Sequence, residues 1–273
     1  MKKIGIVGHG YVGEAMGRFF ENHYDLKIYD PKYTNETLKE PKGLTGKNGI
    51  NECDMAVVCV PTPMNDDGSC DLSILDETME WLEVDLILVK STTTPGSLQQ
   101  YVETGKNIVF SPEYIGEGKY NIQWWKDKGY PHPTDMTKHD FFIFGGEKWL
   151  NEKAIQFFMK VTGPGLKYMQ TDINTAQLVK YMVNCWGATK VTFCNEFYDI
   201  ARSLDISYEE LRELFLLDGR TERMHTAVFS DKRGYDGKCY PKDINATAKF
   251  AEEADVSLLK AVIEKNKKYN PDV

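Results

Sequence analysis

The sequence predicts an α/β protein in which a doubly wound parallel sheet is followed by an all-helical domain built on a long central helix. Three observations predict it. Short apolar runs recur at 3–8 (KIGIVG), 26–30 (LKIYD), 55–60 (MAVVCV), 85–90 (DLILVK), 107–110 (NIVF) and 141–145 (FFIFG), most of them separated by helix-like segments. Runs apolar throughout belong to strands buried on both faces, which is what helices above and below a parallel sheet produce. The first run leads into a glycine-rich turn and then a helical pattern. From about residue 171 the texture changes: 171–206 reads as one helix without an internal proline, and helical segments follow to the end. The domain change is therefore expected near 170, giving 1–170 and 171–273.

The turn after the first strand, GHGYVG, sets Gly8, Gly10 and Gly13 in the GxGxxG spacing, with Tyr11 and Val12 between them. The three glycines serve a tight turn, a close backbone approach to pyrophosphate, and packing of helix on strand. The helix N-terminus adds N–H groups and a positive dipole end for phosphate. Asp30 closes the second strand where an acid accepts hydrogen bonds from an adenosine ribose. Together these describe a Rossmann-type domain for NAD rather than NADP, a preference that Lys32 softens. A glycine-rich turn without cofactor is the plainer alternative.

In an open α/β sheet, ligands lie beyond the carboxyl ends of the strands. Three loops there carry prolines and polar groups: VCVPTP (58–63), KSTTTPG (90–96) and SPEYIGEG (111–118), which offer Thr62, Ser91, Thr92 and Glu113. Thr93 and Thr94 are expected to cap a helix. On the long helix, Gln177, Lys180, Asn184 and Gly187 share one face. Leu178, Val179, Met182, Val183, Trp186, Val191 and Phe193 make the rest apolar, so the helix is expected to be largely buried. Lys180 is then partnered, or in a polar cavity, or snorkelling to a nearby surface. Further on, GYDGKCYPKD (234–243) places Cys239 between Lys238 and Lys242. Neighbouring positive charge favours a thiolate nucleophile; the same residues also make an ordinary surface turn.

Composition limits the function classes. The 273 residues are 41% hydrophobic, with a net charge of −8 and a pI near 5.3. Neither nucleic acid nor an anionic membrane is an expected partner of so acidic a chain, and a small-molecule substrate fits better. MKKIGIVGHG has too short an apolar run for a signal peptide. A cytoplasmic, reducing location is expected, with Cys53, Cys59, Cys70, Cys185, Cys194 and Cys239 free. Their spacings lack a metal-site CxxC pair, so no metal is expected. The lysine-rich end, AVIEKNKKYNPDV, reads as a solvated helix.

In order along the chain, GHGYVG, VCVPTP, STTTPG, SPEYIGEG, AQLVKYMVN with NE at 195–196, and GYDGKCYPKD resemble the UDP-glucose/GDP-mannose dehydrogenase family. The resemblance spans essentially the whole chain. It implies a Rossmann domain at 1–170, a helical dimerisation domain at 171–273, and NAD-dependent oxidation of a sugar nucleotide's C6 alcohol to the carboxylate. It assigns Cys239 as the nucleophile that forms a thioester, and Lys180 and Asn184 as stabilisers of the reacting oxygen. Asp243 with Thr92 would hold water, and Glu113 would do acid/base work. Lys242, Thr62, Thr92 and Glu113 match positions near the dinucleotide. Glu113, Tyr114, Ile115, Lys180, Asn184, Gly234 and Asp236 match substrate positions, and Arg223 an arginine that reaches across a homodimer interface.

The chain departs from the family in three ways. The resemblance implies a further α/β domain that grips the nucleotide and is not among these 273 residues. Asp236 stands where the family has a glycine. The stretch 119–140 is long and aromatic, and Trp124, Trp125 and Tyr130 are candidates for a substrate wall or simply a hydrophobic lid. Two other readings remain open: a two-electron dehydrogenase of the β-hydroxyacid type, and an NAD-binding dimer or half-enzyme completed by a partner.

Overall fold

The computed structural model describes residues 1–34, 40–115 and 135–271. Two compact units emerge, Met1–Pro63 with Asp71–Lys180, and Met64–Cys70 with Tyr181–Val273.

The first unit holds a seven-stranded sheet in the order β2-β1-β3-β4-β5-β6-β7. Its strands are β1 (Lys3–Val7), β2 (Asp25–Tyr29), β3 (Met55–Val58), β4 (Ile87–Val89), β5 (Ile108–Phe110), β6 (Phe141–Gly145) and β7 (Lys167–Thr171). All six apolar runs form strands where the sequence puts them. β1 pairs in parallel with both β2 and β3, with Ile6 opposite Ile28 and Val57. The sheet is not parallel throughout: β6 meets β5 antiparallel through Phe110 and Gly145. An apolar run reports that a strand is buried and carries no information about its direction.

Helices cover both faces. Against one lie α1 (Tyr11–Phe20) and α5 (Lys148–Thr162), whose Met16, Phe19, Phe20, Phe157 and Phe158 join Ile4, Ile6, Val57 and Leu88. Against the other lie α2 (Lys47–Asn51), α3 (Ser73–Trp81) and α4 (Gln99–Glu103), with Ile50, Leu75 and Met79 packed on Val7, Val58 and Val89. Each buried Leu, Ile, Phe or Met contributes about 1.5–3 kcal/mol.

The long helix is α6 (Ile173–Ser203), 31 residues. Its residues from Tyr181 onward join α7 (Tyr208–Phe215), α8 (Tyr240–Phe250) and α9 (Ser257–Tyr269) in the second unit. Small clusters hold that unit together, one around Cys185, Ala188, Tyr235, Ile244 and Val262, another around Cys194, Tyr198, Ala201 and Tyr208. The helix is not buried as its composition predicts. Met182 is 74% exposed, Trp186 57%, Phe193 50% and Phe197 41%. Counting apolar residues shows what a helix needs covered, not whether its own chain covers it.

Candidate functional site

The glycine turn between β1 and α1 is shaped by contacts that only hydrogen side chains permit. Gly8 has φ +83°, and its N–H donates to Tyr29 O at 2.9 Å. A Cβ at Gly13 would stand 1.9 Å from Gly8 O, so α1 comes as close to the turn as backbone allows. Gly10 differs: a Cβ there meets nothing within 4 Å, and as N-cap of α1 it offers no side-chain acceptor. Tyr11 and Val12 follow it half-buried, packed on the core. At the end of β2, Asp30 accepts from the N–H of His9 at 2.7 Å and of Lys32 at 2.9 Å. The Lys32 ammonium stands 3.5 Å from that carboxylate and also donates to His9 O. The acid and the turn are thus one hydrogen-bonded piece, and the open side of Gly10 fits a ligand phosphate against the helix N-terminus.

Beyond the other strand ends, the first unit gathers a second group. Lys180 on α6 donates from Nζ to Glu113 O at 2.7 Å and stands 3.6 Å from Glu113 Oε1. Both side chains are nearly buried, 7% and 11% exposed. The helix lysine is therefore partnered and does not snorkel. Burial raises the Glu113 carboxyl above the usual carboxylate range, against the pull of Lys180 and Lys90. Ile115 N–H donates to Glu113 Oε2 at 3.2 Å, and the neighbouring Tyr114 is pushed up to about 12 by burial. Thr62 donates to Thr92 O at 2.8 Å and Ser91 to Val60 O at 2.7 Å, tying the loops after β3 and β4 together. Thr93 caps no helix: its hydroxyl, fully buried, accepts from Gln177 Nε2 at 2.8 Å. The helix that follows starts later, with Leu98 at its N-cap and no side-chain cap bond.

The second unit holds the cysteine. Cys239 is the N-cap of α8, with a proline in the first turn. One turn on, Asp243 N–H donates to Cys239 O at 2.9 Å. The Asp243 side chain is 1% exposed and accepts from Asn184 Nδ2 and from Lys242 Nζ. Such a carboxylate is tolerable only because both donors are present. Next to the cysteine, Tyr240 shares a 2.8 Å hydrogen bond with His225 Nε2, and a Cβ on Gly187 would be 2.5 Å from the Tyr240 hydroxyl. Gly234 has φ +74°, and its N–H donates to Asn195 Oδ1 at 3.2 Å. Asp236 accepts from Gly237 N–H at 2.6 Å and pairs with Lys232 at 3.1 Å, contacts that hold its carboxyl below the usual range. Arg223 is exposed and pairs bidentately with Glu213 at 2.8 and 2.6 Å. Trp124, Trp125 and Tyr130 lie outside the described residues.

Comparison with known proteins decides what this set of groups belongs to. Residues 22–127 match the NAD binding domain of the UDP-glucose/GDP-mannose dehydrogenase family, and residues 174–268 match that family's central domain. The chain belongs to this family. It is 30% identical to a UDP-glucose 6-dehydrogenase of Rickettsia conorii over 97% of its own length and 66% of the relative's. With UDP-glucose 6-dehydrogenase TuaD of Bacillus subtilis the identity is 24%, over 98% of this chain and 63% of the other. The chain thus spans just under two thirds of these relatives. A UDP-glucose dehydrogenase structure from Pyrobaculum islandicum shares the fold, with a TM-score of 0.79 at 23% identity over 98% of this chain and 68% of the other.

As a UDP-glucose/GDP-mannose dehydrogenase family member, the chain has NAD as the cofactor of its first unit. The Gly8–Gly13 turn, Asp30 and Lys32 are the residues that would hold its pyrophosphate and adenosine ribose. Among the described residues no helix is long and apolar enough to cross a membrane, and no group of three His, Cys, Asp or Glu side chains could hold a metal ion. None of the six cysteines forms a disulfide. Sequence reasoning passed over Lys90, buried at the end of β4. The signal available was a lysine terminating an otherwise apolar run.

Proposed function

We propose that the protein oxidises the primary alcohol of a nucleotide sugar, resembling UDP-glucose, to the carboxylate with NAD and through a Cys239 thioester. The observation that carries this reading is the Asp243 carboxylate, buried one turn from Cys239 and held by Asn184 and Lys242. Packing alone gives no reason to bury that group beside a thiol.

NAD, when bound, supplies the hydride acceptor. The chain's own residues handle nucleophile, proton and charge. An aldehyde cannot be oxidised further until a nucleophile adds to its carbon. Cys239 Sγ makes that bond as the carbonyl π bond opens and the thiol proton departs to water, leaving negative charge on oxygen. Lys180 and Asn184 take the role of donors to that oxygen, as the family resemblance assigns. Once that adduct has given up the hydrogen on its carbon as hydride it is a thioester, and in its hydrolysis Glu113 takes a proton from water as the new C–O bond forms. The C–S bond then breaks and Cys239 recovers its proton. Asp243 and Thr92 are assigned the water, Thr62 and Lys242 the cofactor side, and Tyr114, Ile115, Gly234 and Asp236 the substrate side.

We further propose a cytoplasmic homodimer built on α6, because its exposed Met182, Trp186, Phe193 and Phe197 form a larger apolar face than a solitary soluble helix keeps. Arg223 would serve the partner's substrate. The test follows NADH and intact mass with UDP- and GDP-sugars. Two NADH per substrate, with acylated enzyme trapped when Glu113→Gln slows hydrolysis, supports the reading. One NADH per substrate and full activity in Cys239→Ser would overturn it in favour of a two-electron dehydrogenase. NAD binding without turnover would point to a form completed by a partner chain.

A further inference from the structure

Lys90 lies at the carboxyl end of β4, 2% exposed. Its ammonium donates to Pro112 O at 3.0 Å and lies 3.4 Å from Ser111 Oγ. A lysine this deep has lost its water, a cost that needs both hydrogen bonds and opposing charge in return. The neighbouring peptide oxygen, Glu113 O, is taken by Lys180 at 2.7 Å. Two consecutive carbonyls of the loop after β5 are therefore each held by a different lysine.

Among the described residues, Lys90 interacts with Glu113, Cys59 and Lys180, and His139 with Lys90, Asp135 and Asp140. Burial pushes the Cys59 thiol and the Tyr114 hydroxyl up to about 12 and the His139 imidazole down to about 4, so all three are neutral near pH 7. Lys90 itself, lowered by burial to about 8, is still mostly charged there. Among these groups, the countercharge for the Glu113 carboxylate comes from Lys180 and Lys90.

We propose that Lys90 is a positioning residue for Glu113: by gripping the Pro112 carbonyl and placing a positive charge behind the loop, it fixes the glutamate's aim and keeps its carboxylate ionised, ready to take a proton. A general base must be deprotonated to act, and burial works against that in Glu113, so each positive charge beside it favours the working form. The inference rests on the acid/base reading of Glu113, and the experiment separates the two.

The 273-residue protein carrying carboxyl-¹³C glutamate is titrated by NMR, the Glu113 signal being the one absent from Glu113→Gln. In Lys90→Met the midpoint should rise by about one unit or more, tenfold in proton affinity, while Lys90→Arg stays near wild type. Lys90→Gln, which keeps a donor but no charge, should rise as well and covers the case in which the methionine variant does not fold. Coincident midpoints in wild type and the folded uncharged variants, even with a lowered melting temperature, would reduce Lys90 to a packing role and overturn the proposal. NADH formation decides the other question. If Glu113→Gln leaves rate and pH profile unchanged, the acid/base reading fails while the titration still decides what Lys90 does to the carboxyl.

Discussion

Lys180 holds Glu113 at two points, donating to its main-chain oxygen at 2.7 Å and facing its carboxylate at 3.6 Å. One side chain thus fixes both where the loop runs and what charge its glutamate carries. Lys180→Met leaves a buried carboxylate short of its first countercharge. Stability at pH 8 should fall by about 3 kcal/mol, measured by urea unfolding. The loss should shrink towards pH 5, because protonated Glu113 needs no countercharge. An equal loss at both pH values would mean that the pair matters only for packing.

Two glycines in the same turn should behave differently. Gly13→Ala sets a Cβ 1.9 Å from Gly8 O, a backbone atom that cannot yield cheaply; a loss of about 3 kcal/mol is expected. Gly10→Ala has open space around it. Its melting temperature should match wild type while NAD binding, followed by calorimetry, weakens at least tenfold. Undiminished NAD affinity in Gly10→Ala would place the pyrophosphate elsewhere.

The acid side of the stability profile should be set by two histidines. His139 and His225 are both held down to about 4 by burial, against an ordinary 6.5. Between those values the unfolded chain binds more protons than the folded one. Unfolding free energy is therefore complete above about pH 6.5 and falls as pH drops towards 4, by about 3 kcal/mol per histidine. Glu113 acts with the opposite sign: its carboxyl is raised, so just above the ordinary carboxylate range it costs stability as pH rises. Denaturant unfolding across pH should show His225→Asn losing about half of the acid-side slope. An unchanged slope would refute the assignment.

Met182→Lys with Trp186→Glu puts two charges on the exposed stripe of α6 without touching its buried side. Light scattering should report a shift from dimer to monomer with helicity retained. A dimer that survives both substitutions would remove this face from the interface.

What the sequence reveals about this fold follows from what its signals measure. Four of the seven strands, β1, β3, β4 and β5, are short, heavily buried runs bounded by turns or helices, and β2 and β6, buried only in part, read the same way. β7 escapes because Lys167, Met169 and Gln170 are exposed, so its pattern is that of an edge strand and not of a core. Thr93 reads as a cap because its real partner, Gln177, is 84 residues away and no local pattern encodes the bond. The site is legible where chemistry constrains residue type, as at Gly8, Gly10, Gly13 and Asp30. It is illegible where burial decides the role, as for Lys90 among apolar neighbours. The exposed stripe of α6 is the reverse case, in which an apolar pattern is complete in the sequence and its cover is not among the described residues.

The border between the two units falls between Lys180 and Tyr181, adjacent residues inside one helix, and the segment Met64–Cys70 also belongs with the second unit. Neither unit is a continuous stretch of chain, so no single cut separates them. A cut at Lys180 would also leave about four carbonyls and four N–H groups without helical partners on the two fragments. An exchange of the cofactor unit for another must carry the first two turns of α6 with it, since Lys180 and the Glu113 loop that it grips both lie in that unit.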